Sequence, residues 1–129
     1  MTEVLSSRLA QKARATGREY QILTFIHRNA HRAVRIADLA EEMCLSTSRA
    51  AHVVKEIFGV GFRDLLMKER MDRAKALLSS SPHSLPQIAI QCGFNSASHF
   101  SRTFRARNGV RPGQYRRSKV NREIRASEA

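Results

Sequence analysis

The chain has 129 residues, enough for one compact domain or for two small lobes sharing a connector. Hydrophobic residues make up 42% but aromatics only 6%, without Trp, so any core is mostly aliphatic. No apolar run approaches the ~18 residues of a membrane span, and Met1 to Gly17 lacks the apolar stretch of a secretory signal, so a cytoplasmic, nucleoid-associated protein is expected.

Residues 1–17 are polar and weakly periodic, and read as an N-terminal extension or linker. From Arg18 to about His31, Ile22, Phe25, Ile26 and Asn29 mark a helical stripe whose first three members are apolar. A basic loop, Arg32-Ala33-Val34-Arg35, follows. Between Ile36 and Phe58 the pattern is a short helix, a turn and a second helix. Ile36, Leu39, Ala40 and Met43 form the inner face of the first, Ser46 or Thr47 caps the second, and Gly59 ends it. Residues 18–61 are thus a first helix-turn-helix lobe.

A longer helix is predicted over residues 62–80, with Phe62, Leu65, Leu66, Ala74, Leu77 and Leu78 at helical spacing. Asp64–Lys68 and Glu69–Arg73 are i,i+4 pairs on its wet side, each worth about 0.2–0.5 kcal/mol. Ser79-Ser80-Ser81-Pro82 stops it. A stiff connector of this kind sets the separation of whatever it joins.

Residues 81–118 then repeat the first lobe. Leu39-Ala40-Glu41-Glu42-Met43-Cys44-Leu45-Ser46 is echoed by Ile88-Ala89-Ile90-Gln91-Cys92-Gly93-Phe94-Asn95. After a one-residue shift, Ala50 and Val54 are echoed by Phe100 and Phe104, and Gly59-Val60 by Gly109-Val110. Ser84-Leu85-Pro86-Gln87 is a capping box with proline in the first turn. Asn95 or Ser96 starts the next helix, Asn108-Gly109 ends it, and Pro112 opens a short closing helix through Tyr115. The basic, polar tail, 119–129, is expected to fray. Cys44 and Cys92 fall one place apart in the two copies and suit small buried side chains rather than a disulfide. His27 and His31 lie four apart without a nearby third ligand, so no metal site and no cofactor are expected.

The net charge is +12, and its placement is uneven. The fifty residues between Asp72 and Glu123 hold ten Lys and Arg and no carboxylate, a block that attracts polyanions by releasing their counterions. Subtracting the buried positions of each second helix leaves the face that could meet such a partner. With Ala50, Val53, Val54 and Ile57 inward, the outer stripe of the first copy is Ser48, Ala51, His52 and Lys55. With Phe100 and Phe104 inward, that of the second is Ser98, Ser101, Arg102 and Arg105. Small residues come first and a hydrogen-bond donor third, which suits a helix entering a DNA major groove. Arg102 can donate two bonds to guanine O6 and N7, and His52 one weaker bond, whereas Lys55 and Arg105 meet phosphate.

Three runs in the second copy carry a family resemblance: Gln87-Ile88-Ala89-Ile90-Gln91-Cys92-Gly93-Phe94, Ser98-His99-Phe100-Ser101-Arg102-Thr103-Phe104-Arg105 and Gly109-Val110-Arg111-Pro112-Gly113-Gln114-Tyr115-Arg116. With Arg70-Met71-Asp72-Arg73-Ala74-Lys75-Ala76-Leu77-Leu78 in the connector, they resemble the signature of AraC/XylS-type transcription regulators over residues 18 to 117. The resemblance implies an all-α fold of two homeodomain-like helix-turn-helix lobes joined by a long helix, with recognition helices in successive major grooves on one face of double-stranded DNA. It implies base contacts by Ser48, Ala51, His52, Ala97, Ser98, Ser101 and Arg102, and backbone contacts by Lys55, His99 and Arg105. RNA polymerase, and an effector or dimerisation domain if the chain is part of a longer regulator, are the further partners to expect. The first copy departs from the family pattern, with Ala50 and Val54 where Leu and Phe are usual, and no hydroxyl cap at Arg35-Ile36.

Two other readings compete. A protein-interaction co-regulator would show an exposed apolar stripe where this chain has Ser, His and Arg, and a nucleic-acid binder without sequence preference would use the basic block alone. An enzyme is not expected, since there is no Gly-rich phosphate loop, nucleophile elbow or pair of carboxylates on one face.

Overall fold

A computed structural model describes residues 17–128, with side chains described through 120 and at 122. Among these residues there are seven helices and no strand: α1 Gly17–Asn29, α2 Ile36–Glu42, α3 Thr47–Phe58, α4 Phe62–Ser80, α5 Leu85–Gln91, α6 Ala97–Asn108 and α7 Pro112–Glu128. The expected N-terminal extension lies outside the described residues, save Gly17, which opens α1. None of the described helices is long and apolar enough to cross a membrane.

The chain folds as two compact units, and the division falls inside α4, between Met67 and Lys68. The helix expected over 62–80 is α4, and its two ends belong to different units. Its first turns bury Phe62 and Leu66 in the first unit, while Met71, Ala74 and Leu78 are buried within the second. Of the charge pairs along it, Glu69–Arg73 forms at 3.4 Å, and Lys68 lies 3.7 Å from Asp72.

In the first unit, α1 contributes Ile22, Phe25, Ile26 and the following Ala30 to a core completed by Leu39, Val53, Val54, Phe62 and Leu66. Ala50 and Val54 are fully buried, so no room is left at the positions that Phe100 and Phe104 fill in the second copy. The aromatic bulk comes from Phe25 and Phe62, 6.4 Å apart. Arg28 pairs with Glu42 at 2.9 Å and holds α1 against the end of α2. The start of α2 lacks a hydroxyl cap, as the sequence indicated. Arg35 has no acceptor in its side chain, and the cap is one-sided, with the Asp38 carboxylate accepting from the Arg35 N–H at 2.8 Å.

The second unit is built on a run of rings. Phe94, Phe100, Phe104 and Tyr115 follow one another at 5.3, 5.8 and 5.6 Å, and Arg70 lies over Phe94 at 5.9 Å. Arg116 donates to the carbonyls of Leu78, Ser81 and His83 at 3.2, 3.3 and 2.7 Å. Those carbonyls end α4 or follow it and have no helical partner of their own, so one guanidinium both caps that helix and anchors α7. The closing helix runs on to Glu128, past Tyr115 and through the residues expected to fray. After Gly113 nothing stops it: Arg, Lys, Glu and Ala propagate a helix well, and neither Gly nor Pro recurs.

The two turns match atom for atom. Leu45 N–H bonds to Ala40 O and Phe94 N–H to Ala89 O, each at 2.9 Å, while Cys44 and Gly93 reach back to Glu41 and Ile90, each at 3.1 Å. Both central residues are left-handed, with φ of 57° at Cys44 and 88° at Gly93. Cys44 is thus the counterpart of a turn glycine. It is exposed, which corrects the expectation that both cysteines are small buried side chains; only Cys92 is. A non-glycine side chain at such a φ costs on the order of 1 kcal/mol, a cost this turn carries. Burial pushes the Cys92 thiol up to about 11, so it stays protonated and unreactive near neutrality. A disulfide-exchange reagent at mildly alkaline pH should therefore titrate Cys44 rapidly and Cys92 only after denaturant is added. Two fast thiols would mean that the second core is open.

Candidate nucleic-acid interface

The second helix of each turn begins with the same cap. Ser46 Oγ accepts from Arg49 N–H and Ser96 Oγ from His99 N–H, both at 3.1 Å, which selects Ser46 over Thr47 and Ser96 over Asn95. Both helices end in left-handed glycines, Gly59 and Gly109. Each cap fixes where its helix starts, and hence which side chains lie opposite the core.

On α3 the inner residues Ala50, Val53 and Val54 are buried, and Ser48, Ala51, His52 and Lys55 are all exposed. On α6, Phe100 and Phe104 are fully buried; Ser98, Arg102 and Arg105 are exposed, and Ala97 and Ser101 are half-buried. His99 stands apart from this stripe. Its ring meets the edge of Phe94 at 5.3 Å, so it flanks the turn, and its N–H is already taken by Ser96. Each stripe is a polar surface on its own unit. Among the described residues the exposed large apolar side chains are Tyr20, Val60, Ile90 and Val120, and none of them lies on either stripe.

The sequence pattern missed what faces the α6 stripe. An open groove has Ser98, Ser101, Arg102 and Arg105 along one wall and Arg111, Gln114 and Arg117 along another, and none of the described residues lining it is acidic. The last three sit before or within the first turns of α7. Two of them were visible as members of the basic block, but helical periodicity cannot place a residue across the turn at 109–111. The fully buried Pro112 sets α7 here, and the backbone N–H groups of a first turn favour an anion. Four guanidinium groups around a groove of small side chains suit a phosphate backbone with a base edge between its strands.

One further neighbour escaped the pattern on α3. Glu56 Oε2 lies 3.5 Å from His52 Nε2, and both side chains are about two-thirds exposed, at 67% and 65%.

Residues 39–118 match the model of a helix-turn-helix domain family of AraC type. The chain belongs to the AraC-type helix-turn-helix family. Domains of this family are DNA-binding parts of transcription regulators. The melibiose operon regulatory protein of Escherichia coli K12 is 33% identical to this AraC-type domain over 97 residues, which are 75% of this chain and 32% of that regulator. The chain thus spans about a third of the length of this curated relative. The C-terminal domain of the two-component response regulator yesN from Fusobacterium nucleatum has the same fold at a TM-score of 0.75 and 28% identity, covering 78% of this chain and 99% of that one. The DNA-binding domain of AdpA, a global transcriptional factor solved with a target DNA, shares the fold at a TM-score of 0.74 and 24% identity, with 78% and 91% covered.

Proposed function

We propose that this AraC-type domain reads a specific duplex site through α3 and α6, each entering a major groove. Ser48, Ala51, His52, Ala97, Ser98, Ser101 and Arg102 meet base edges. Lys55, His99 and Arg105 meet the backbone, joined by Arg111, Gln114 and Arg117. The observation that carries this reading is the groove beside α6, where the Arg102 guanidinium lies among small side chains and other arginines, with no acid among the described lining residues. AdpA, with the same fold, has been seen on its target DNA, which supports it. The chain acts as a non-catalytic regulator. It works with RNA polymerase at a promoter, and with an effector or dimerisation domain if it is one part of a longer protein.

Sites selected from a random duplex pool, followed by competition with single-base variants, test the reading. Arg102→Ala should cost roughly 1–3 kcal/mol on the preferred site and relax the choice of base at one position. Arg105→Ala should weaken all duplexes about equally and flatten the dependence of log K on log salt by about one unit. Equal losses on preferred and random DNA for Arg102→Ala would show that α6 does not read bases.

A further inference from the structure

The two units differ in charge far more than their matching turns suggest. Residues 1–67 carry ten Lys and Arg against seven Asp and Glu, whereas residues 68–129 carry thirteen against four. Their reading helices differ in the same way. Ala97–Asn108 contains three arginines and no acid, while Thr47–Phe58 offers only Arg49 and Lys55, offset by Glu56. By charge alone the second unit attracts a polyanion of any sequence much more strongly than the first.

Glu56 lies one turn beyond His52 on the flank of the α3 stripe, its carboxylate 3.5 Å from the imidazole and well exposed. Arg49, two turns earlier and almost in line with it, is exposed as well. A helix carrying this carboxylate into a major groove brings it towards two phosphate chains, which repel it whatever the sequence. A compensating contact exists only where a base offers a hydrogen to accept, above all the N4 amine of cytosine. A cost paid at every site and returned at some of them is discrimination.

We propose that Glu56 is a specificity-determining residue of the first reading helix, one that lets α3 settle where a cytosine amine faces it and opposes its docking elsewhere, while the second unit anchors the duplex. The proposal rests on the DNA-reading function above.

The test compares the full chain with E56Q, E56D and R102A on a selected duplex and on random duplex at one salt concentration, with thermal melting of each variant. E56Q removes one charge from an exposed site and should fold normally. It should bind random duplex about threefold to fivefold more tightly, the scale of one like-charge contact in water. Its preference for cytosine at one position should fall, so that the ratio of selected to random binding drops about tenfold. E56D keeps the charge but loses reach, and should lose the cytosine preference without gaining on random duplex. An E56Q ratio within twofold of the parent overturns the proposal, as does failure of the pool to yield any preferred site. R102A separates the two ideas. If it lowers the ratio and E56Q does not, only the role of Glu56 fails. If E56Q lowers the ratio and R102A does not, Glu56 stands and the reading of α6 fails.

Discussion

Raising monovalent salt from about 50 to about 200 mM should weaken duplex binding about a thousandfold. About six neutralised phosphates, each releasing ~0.9 counterion from B-DNA, give a slope near −5 for log K against log salt. The contacts proposed for this are Arg102, Arg105, Arg111 and Arg117, which line one groove of the second unit, with no carboxylate among its described lining residues. Neutralising Arg111 and Arg117 together should make the slope shallower by about two units, because each lost phosphate contact removes about one counterion. The same double change should leave base preference nearly intact, since neither residue lies on the α6 stripe. Titrations by fluorescence anisotropy across this salt range would measure both quantities. A parent slope shallower than about −2 would place the DNA on some other surface.

Phe100→Ala should destabilise the second unit by about 3–5 kcal/mol, the usual cost of removing a buried ring. Phe100 is fully buried, and its ring contacts Phe94 at 5.3 Å and Phe104 at 5.8 Å, so its loss opens the middle of the aromatic run. The vacated space cannot close easily, because α6 is fixed by the Ser96 cap at one end and by the turn at Gly109 at the other. Since native domains are stable by only about 5–15 kcal/mol, the variant should unfold at much lower urea and lose the α6 surface with it. Ser98→Ala, on the opposite side of the same helix, should change stability by no more than about 0.5 kcal/mol. Urea melts followed by circular dichroism compare the two directly. A loss below about 1 kcal/mol for Phe100→Ala would mean that the ring is not enclosed.

The contrast between these two positions shows which features were legible in the sequence. Phe100 and Phe104 are four apart, Ala50 and Val54 likewise, and the residues opposite them on one helix follow from helical geometry alone. Local chemistry marked the helix ends too: the Ser84–Gln87 box closes at both of its bonds, 2.9 and 3.3 Å, and Gly59 and Gly109 take the left-handed stops expected of them. The repeat of the helix-turn-helix, the polar outer stripes of α3 and α6 and the all-α class were therefore readable before any coordinates.

Other features depended on packing between segments, about which a periodicity is silent. Arg111, Gln114 and Arg117 came to face the α6 stripe because the chain reverses after Gly109 and buries Pro112. Arg116, one residue away in the same basic run, turned inward to satisfy the carbonyls at the end of α4. Two neighbouring arginines thus acquired opposite roles, one facing the groove and one capping a helix. The boundary between units fell inside α4 because its first turns are needed by one core and its later turns by the other. Cys44 became an exposed turn residue because the hydrogen bonds of that turn demand a left-handed centre, whichever side chain occupies it. Local spacing determines which residues share a helix face. The fold decides what that face meets, because contacts between distant segments form only when their buried surfaces close on one another.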